Sequence, residues 1–246
     1  MIAITATSEL LFPKAQILAA TTGLPITNLN DKNFPYLLVV TEKHLEIRTT
    51  TKKLNPINVN FTSPFINHRC KSSGTKQLIA KAVGIKKDVS LKILDVTAGL
   101  GIDAFILASL GAKVKMLERS VIVGALLQDG LERLQLKSVL NLSLTIADAL
   151  PYLGKISETD QPDVIYLDPM YPAHNKSALN KKEMQILRDL VGNDEDADQL
   201  FLLALKQAKK RVVVKRPRLA PFITNLKPDI IFKGKSLRFD VYLKKF

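Results

Sequence analysis

From Gly74 onward, short apolar runs alternate with stretches of helical length, and this alternation constrains the fold more than any other feature of the chain. Apolar runs of strand length fall at 91–96, 113–117, 141–147, 163–167 and 211–215. Between them lie helix candidates over 102–110, stopped by Gly111, from the capping residue Ser120 to about Leu134, and over 196–209. A helix over 75–83, stopped by Gly84, precedes the first strand. The chain closes with IIFKGKSLRFDVYLKKF, two strands about a turn at 233–236. Strands joined through helices pair in parallel, because a crossover must return the chain to the same end of the sheet. The expected fold is therefore α/β: a doubly wound, mostly parallel sheet with a terminal antiparallel hairpin.

Residues 1–67 read differently. Apolar pieces at 2–4, 36–40 and 45–47 alternate with turns around Pro25, Asn30 and Pro35, with one helix near 14–21. We expect a small N-terminal α+β element over 1–67, packed on or near a Rossmann-like domain over 68–246. Cys70 is the only cysteine, which excludes an intrachain disulfide or a four-cysteine zinc site. His44, His68 and His174 are dispersed, so no metal is expected. No run of 18 apolar residues occurs, and the opening residues lack a secretion pattern, so we expect no membrane partner and a cytoplasmic location. Lysine and arginine exceed aspartate and glutamate by 36 to 23, and a net charge of +13 suits a polyanion such as nucleic acid.

The stretch LKILDVTAGLGIDAF carries the first chemical signal: a strand ending at Asp95, a turn containing Gly99 and Gly101, and a helix from Ile102. Glycines there allow a sharp turn and a close ligand approach, free of a Cβ that would collide. The spacing is not that of a pyrophosphate cradle. Asp95 disfavours a phosphate and suits the ammonium of a methionine moiety. Glu118, at the end of the second strand, is placed to accept both ribose hydroxyls of an adenosine. Asp148, after the third strand, can receive an adenine amine, with Ala147 or Ala149 offering backbone contacts. Asp103 suits either the cofactor or merely the positive end of its own helix.

Asp168-Pro169-Met170-Tyr171-Pro172 leaves the carboxyl end of the fourth strand, where open α/β sheets keep their active sites. An amine on a purine ring is a poor nucleophile because its lone pair is delocalised. The Asp168 carboxylate and the Pro169 carbonyl can each accept one of its hydrogens and aim the lone pair at an activated methyl. Tyr171 can stack on the base, an interaction of ~1–3 kcal/mol. Three basic clusters are expected around this mouth: His68, Arg69, Lys71 and Lys76; His174, Lys176, Lys181 and Lys182; and Lys215, Arg216 and Arg218.

At these residues the chain resembles the RsmJ family, bacterial 16S ribosomal RNA guanine-N2 methyltransferases. The matching stretches are LDVTAGLGIDAFILASLGAKVKMLER, LLQDGLERL, VIYLDPMYPAHNKSAL, KKEMQILRDLVGNDEDADQL, KRVVVKRPRLAP and KGKSLRFDVY. The resemblance implies the class I S-adenosylmethionine-dependent fold, S-adenosylmethionine as cofactor, and 16S ribosomal RNA as partner, within the small subunit or an assembly intermediate. It implies cofactor contacts at Ile102, Asp103, Glu118, Arg119, Asp148, Ala149 and Asp168. Two departures stand out: Ile102 replaces the family's usual arginine, and HRCKSSGT replaces a stretch richer in arginine and glycine. The residues alone leave open methylation of adenine N6 or of a protein amide, and a non-catalytic RNA-binding module.

Overall fold

The structure, a computed structural model, describes residues 1–52, 54–71, 74–86, 89–134, 140–170, 181–192 and 194–244, without the side chains of 181–185. The chain opens with strand β1 (Ile2–Ala6) and helix α1 (Phe12–Thr22), which has a proline in its first turn and ends on a left-handed Gly23. Strands β2 (Tyr36–Val40) and β3 (Leu45–Thr49) follow. Next come α2 (Pro64–Lys71) and α3 (Leu78–Val83), the latter closed by Gly84 at φ 83°. The alternating region contains β4 (Lys92–Asp95), α4 (Ile102–Ser109), β5 (Lys113–Glu118) and α5 (Val121–Glu132), whose cap Ser120 accepts the Val123 N–H. After these come β6 (Leu142–Ile146), α6 (Ala149–Gly154), β7 (Val164–Leu167), α7 (Lys181–Val191) and α8 (Ala197–Gln207). The chain closes with β8 (Arg211–Pro217), β9 (Ile230–Lys233) and β10 (Leu237–Leu243). Among the described residues no helix is long and apolar enough to cross a membrane.

The chain divides into two compact units. One draws on residues 1–60, 120–134 and 172–193, and holds a three-stranded sheet in the order β1-β2-β3. In it β1 and β2 are parallel, while β2 and β3 are antiparallel. Ala3, Leu37 and Val39 form a buried cluster on this sheet. The α5 carboxylate of Asp129 accepts the Leu45 N–H at 3.0 Å and Arg133 Nε at 2.9 Å, which fastens the helix to β3.

The other unit draws on residues 61–119, 135–171 and 194–246, and holds a seven-stranded sheet in the order β6-β5-β4-β7-β8-β10-β9. The first five strands are parallel; β10 runs antiparallel to both β8 and β9. This is the expected doubly wound sheet with its closing hairpin. One face packs Leu94, Leu117, Ile165, Leu167, Val212 and Val214 against α6 and α8 through Leu153, Phe201 and Ala204. Strand alternation turns Asp95 and Tyr166 to the opposite face, where Tyr166 Oη donates to Asp103 of α4 at 2.8 Å. Strand order reverses at β4 and β7, so the crevice at their carboxyl ends is where such sheets bind ligands.

Candidate active site

The glycine turn is built by hydrogen bonds that the sequence dictates locally. Asp95, only 2% exposed, accepts the Thr97 N–H at 3.1 Å. Burial pushes its carboxyl up to about 8, aided by the Asp103 and Asp168 charges and opposed by the Thr97 bond and Lys215. Gly99 sits at φ 54°, and its N–H donates to Glu118 Oε2 at 2.9 Å. Gly101, at φ 72°, caps α4. Both values lie in the left-handed region, which demands glycine. A Cβ on Gly99 would meet no protein atom within 4 Å, so backbone conformation, and not a collision within the chain, fixes that residue.

The Asp168 turn is tied to this loop. The Asp168 N–H donates to Thr97 Oγ1 at 2.6 Å, and the Met170 N–H donates to Asp194 Oδ2 at 2.6 Å. Pro169 is buried. The Asp168 side chain is 40% exposed, so its carboxylate opens toward solvent and is not turned into the core. Lys215 Nζ lies 2.7 Å from Asp168 Oδ2 and 2.7 Å from Asp103 Oδ2. Arg69 faces the other Asp103 oxygen at 3.4 Å. Burial works against the Lys215 ammonium, but the two carboxylates outweigh it and raise Lys215 above its ordinary value. For Asp103, burial is likewise outweighed, by Lys215, Tyr166 and Arg69, and the carboxyl is held below its usual range. Asp168 is held above that range, by desolvation and by the Asp103 and Asp194 charges against the pull of Lys215.

The remaining expected cofactor residues gather at the same sheet edge. Ile102 and Asp103 open α4, with the Asp103 carboxylate committed to protein partners. Glu118, 6% exposed, ends β5. The next residue, Arg119, turns its guanidinium to Asp194 and to Asp196, the latter at 3.0 Å. Asp148 is exposed at the cap of α6, where it accepts the Leu150 N–H at 2.9 Å, and Ala149 is buried behind it.

Two residues expected on the basic rim are elsewhere. The strand expected to end at Lys215 continues as β8 to Pro217, held by β10 through Leu237↔Pro217, so Lys215 and Arg216 are still inside the sheet and face opposite sides. Lys215 joins the carboxylates described above. Arg216 is 6% exposed and donates to the Pro221 carbonyl at 2.9 Å. His68, Lys71, Lys76 and Arg218 are exposed, and Arg69 is half-buried. Tyr171, His174 and Lys176 lie outside the described residues, as do the side chains of Lys181 and Lys182. Sequence reasoning overlooked Thr97, Tyr166 and Asp194. A hydroxyl two residues past Asp95 and a polar tip inside the apolar run VIYL were the available signals for the first two.

Comparison with known proteins agrees with this geometry. A family model described as "Putative SAM-dependent methyltransferase" matches residues 18–244. The Ribosomal RNA small subunit methyltransferase J of Coxiella burnetii (strain RSA 331 / Henzerling II) is 50% identical over 99% of this chain and 97% of its own length. That of Cellvibrio japonicus (strain Ueda107) is 45% identical over 95% and 94%. The crystal structure of the SAM-dependent methyltransferase NGO1261 from Neisseria gonorrhoeae superposes with a TM-score of 0.74 at 32% identity, covering 99% of this chain and 95% of that one. With its class I sheet and the glycine turn at its carboxyl edge, the chain belongs to the family of S-adenosylmethionine-dependent methyltransferases that contains the ribosomal RNA small subunit methyltransferases J.

Proposed function

We propose that this chain methylates the exocyclic N2 amine of a guanosine in 16S ribosomal RNA, in the cytoplasm, on the small subunit or an assembly intermediate of it. The observation that carries this reading is the 2.6 Å bond from the Asp168 N–H to Thr97 Oγ1, which holds an acid-proline turn against the cofactor turn. S-adenosylmethionine, when bound, supplies a methyl group already activated by its sulfonium charge. The residues present fit this cofactor. Its own chain neighbours aside, no described residue comes within 4 Å of where a Gly99 Cβ would stand, and the acids around the turn suit ribose hydroxyls and amines rather than phosphate. Glu118 would take the ribose, Asp148 and Ala149 the adenine, and Asp95, Gly99 and Gly101 the methionine end. Ile102, Asp103 and Arg119 would contribute through their backbone, because the charged side chains of the last two are engaged within the protein.

On the substrate side, orientation is the main demand, since the donor is activated in advance. Asp168 accepts one amine hydrogen, the Pro169 carbonyl accepts the other, and Tyr171 stacks on the base. The exposed His68, Lys71, Lys76 and Arg218 would hold phosphates, with Arg69 beside them. The substrate follows from the relatives, which are named for ribosomal RNA of the small subunit. Within this reading, residues 1–67 form a small N-terminal element and 68–246 the methyltransferase domain. The test is tritiated methyl transfer to small subunits, free 16S RNA and duplex DNA. We expect label in ribosomal RNA as N2-methylguanosine; label confined to DNA or to protein overturns the assignment.

A further inference from the structure

The contacts assigned to cofactor and substrate leave the half-buried ammonium of Lys215 unexplained. Because β7 and β8 pair in parallel through Leu167↔Val214, Asp168 and Lys215 are the next residues along two adjacent strands. Asp103 reaches them from the first turn of α4, and the Lys215 ammonium touches both carboxylates at hydrogen-bond distance. The Lys215 side chain is only 23% exposed. A phosphate-binding lysine keeps its head in water, whereas this one is neutralised within the protein before any RNA arrives.

We propose that Lys215 is a positioning residue for methyl transfer, bridging Asp103 and Asp168 so that Asp168 stays ionised with one oxygen fixed and the other presented to the substrate amine. The proposal rests on the reading in which Asp168 accepts from that amine. Among the described residues, several charged groups face the cluster. Asp95 comes from β4, Asp103 from α4, Tyr166 from β7, Asp168 from the turn after it, and Asp194 from the segment before α8. Lys215 from β8 and Arg69 from α2 are cations on Asp103 and Asp168, and Arg119 is the cation on Asp194. Removing Lys215 leaves Asp103 and Asp168 as two carboxylates that had shared one ammonium. Like charges so placed do not both remain ionised; of the two, Asp103 keeps Arg69 and the Tyr166 hydroxyl, so Asp168 is the one that takes a proton. A protonated Asp168 has lost acceptor capacity on the group that must receive an amine hydrogen. Asp103 also opens the helix after the cofactor turn, so the same bridge joins the cofactor side of the site to the substrate side.

The test compares Lys215→Met, Lys215→Arg and the double variant Lys215→Met/Asp103→Asn. In the ligand-free protein, carbon-13 NMR follows the Asp168 carboxyl, identified by its loss in Asp168→Asn. In Lys215→Met the Asp168 midpoint should rise by about one unit or more, a tenfold gain in proton affinity. Lys215→Arg should hold it near the parent value, and the double variant should bring it most of the way back. Single-turnover methylation of small subunits should show the acid limb of Lys215→Met displaced upward by the same amount. On that limb the rate at a given pH should fall about tenfold, while the dissociation constant for S-adenosylmethionine stays within about threefold. An unmoved Asp168 titration or an unmoved acid limb overturns the proposal. If Lys215→Met does not fold, the arginine and double variants still decide it, since a purely structural lysine predicts no recovery of the titration when Asp103 loses its charge. A parent that methylates no ribosomal RNA, while the Asp168 midpoint still answers to Lys215, sinks the functional reading and leaves the bridge standing.

Discussion

At Asp168 a single carboxyl group belongs to two neighbourhoods: one oxygen lies on Lys215, and the group as a whole opens to solvent. Asp168→Ala should abolish methylation, by about 100-fold or more, while leaving the thermal midpoint close to the parent, since acceptors placed for the reacting group contribute on that scale. Near-normal turnover in the purified variant contradicts its role. Glu118→Ala should weaken cofactor affinity by about tenfold or more in calorimetric titration, because it removes a charged acceptor worth roughly 1.5–3 kcal/mol; an unchanged dissociation constant counts against ribose binding. Asp95 differs from both. Its folded-state carboxyl titrates at about 8 because it is buried, so its favourable contribution is complete below the ordinary carboxylate range and is lost as pH rises through about 8. The thermal midpoint of the parent should therefore fall more between pH 6 and pH 9 than that of Asp95→Asn. Parallel curves would show that Asp95 carries no such penalty. Asp95, Glu118 and Asp168 were legible in the sequence because each is an acid at the end of an apolar run. Lys215 was misplaced because its strand is two residues longer than the apolar run suggests (Arg211–Pro217 against 211–215). Its partner Asp103 is distant in sequence, and no local pattern announces the pair.

At the scale of elements, the strands were easy to read and three helices were not. A parallel strand buried on both faces shows itself as an apolar run, as in β7 (Val164–Leu167), whose residues are all buried. Helix α2 buries only Ile66 among its eight residues, and α6 is six residues long with a proline inside, so neither offers a usable helical period. Helix α7 is rich in charged residues and, apart from the resemblance, was read as a basic stretch after the Asp168 turn. Two stretches recognised by resemblance prove to be structural. In LLQDGLERL, Asp129 and Arg133 fasten α5, and Gly130 leaves room for Val59, whose Cγ1 would lie 2.4 Å from an added Cβ. In LRFDVY, Arg238 grips the fully buried Asp240 through two bonds of 2.8 and 2.9 Å. Its guanidinium also donates to the Arg218 and Ala220 carbonyls and lies over the Phe222 ring. Arg238→Ala strands a buried carboxylate and should cost about 3–5 kcal/mol in urea denaturation. A loss below about 1 kcal/mol would mean that Asp240 finds another partner or a proton.

Across the whole molecule, the proposed function has RNA held largely by its phosphates, on a chain of net charge +13 with His68, Lys71, Lys76 and Arg218 exposed. Binding to 16S RNA should weaken steeply with salt, and Lys71→Ala should flatten the logarithmic slope by about 0.7–0.9, the share of one phosphate contact. An affinity indifferent to moderate salt would remove these residues from the interface. The central claim is that one sheet edge holds an activated methyl beside a guanine amine. Its most direct test is nuclease mapping and mass spectrometry of 16S ribosomal RNA from cells carrying the gene, lacking it, and lacking it but supplied with the Asp168→Ala variant. The account predicts one N2-methylguanosine present in the first and absent from the other two. An unchanged methylation map in the cells lacking the gene, or a lost methyl group on any atom other than a guanine N2, would contradict it.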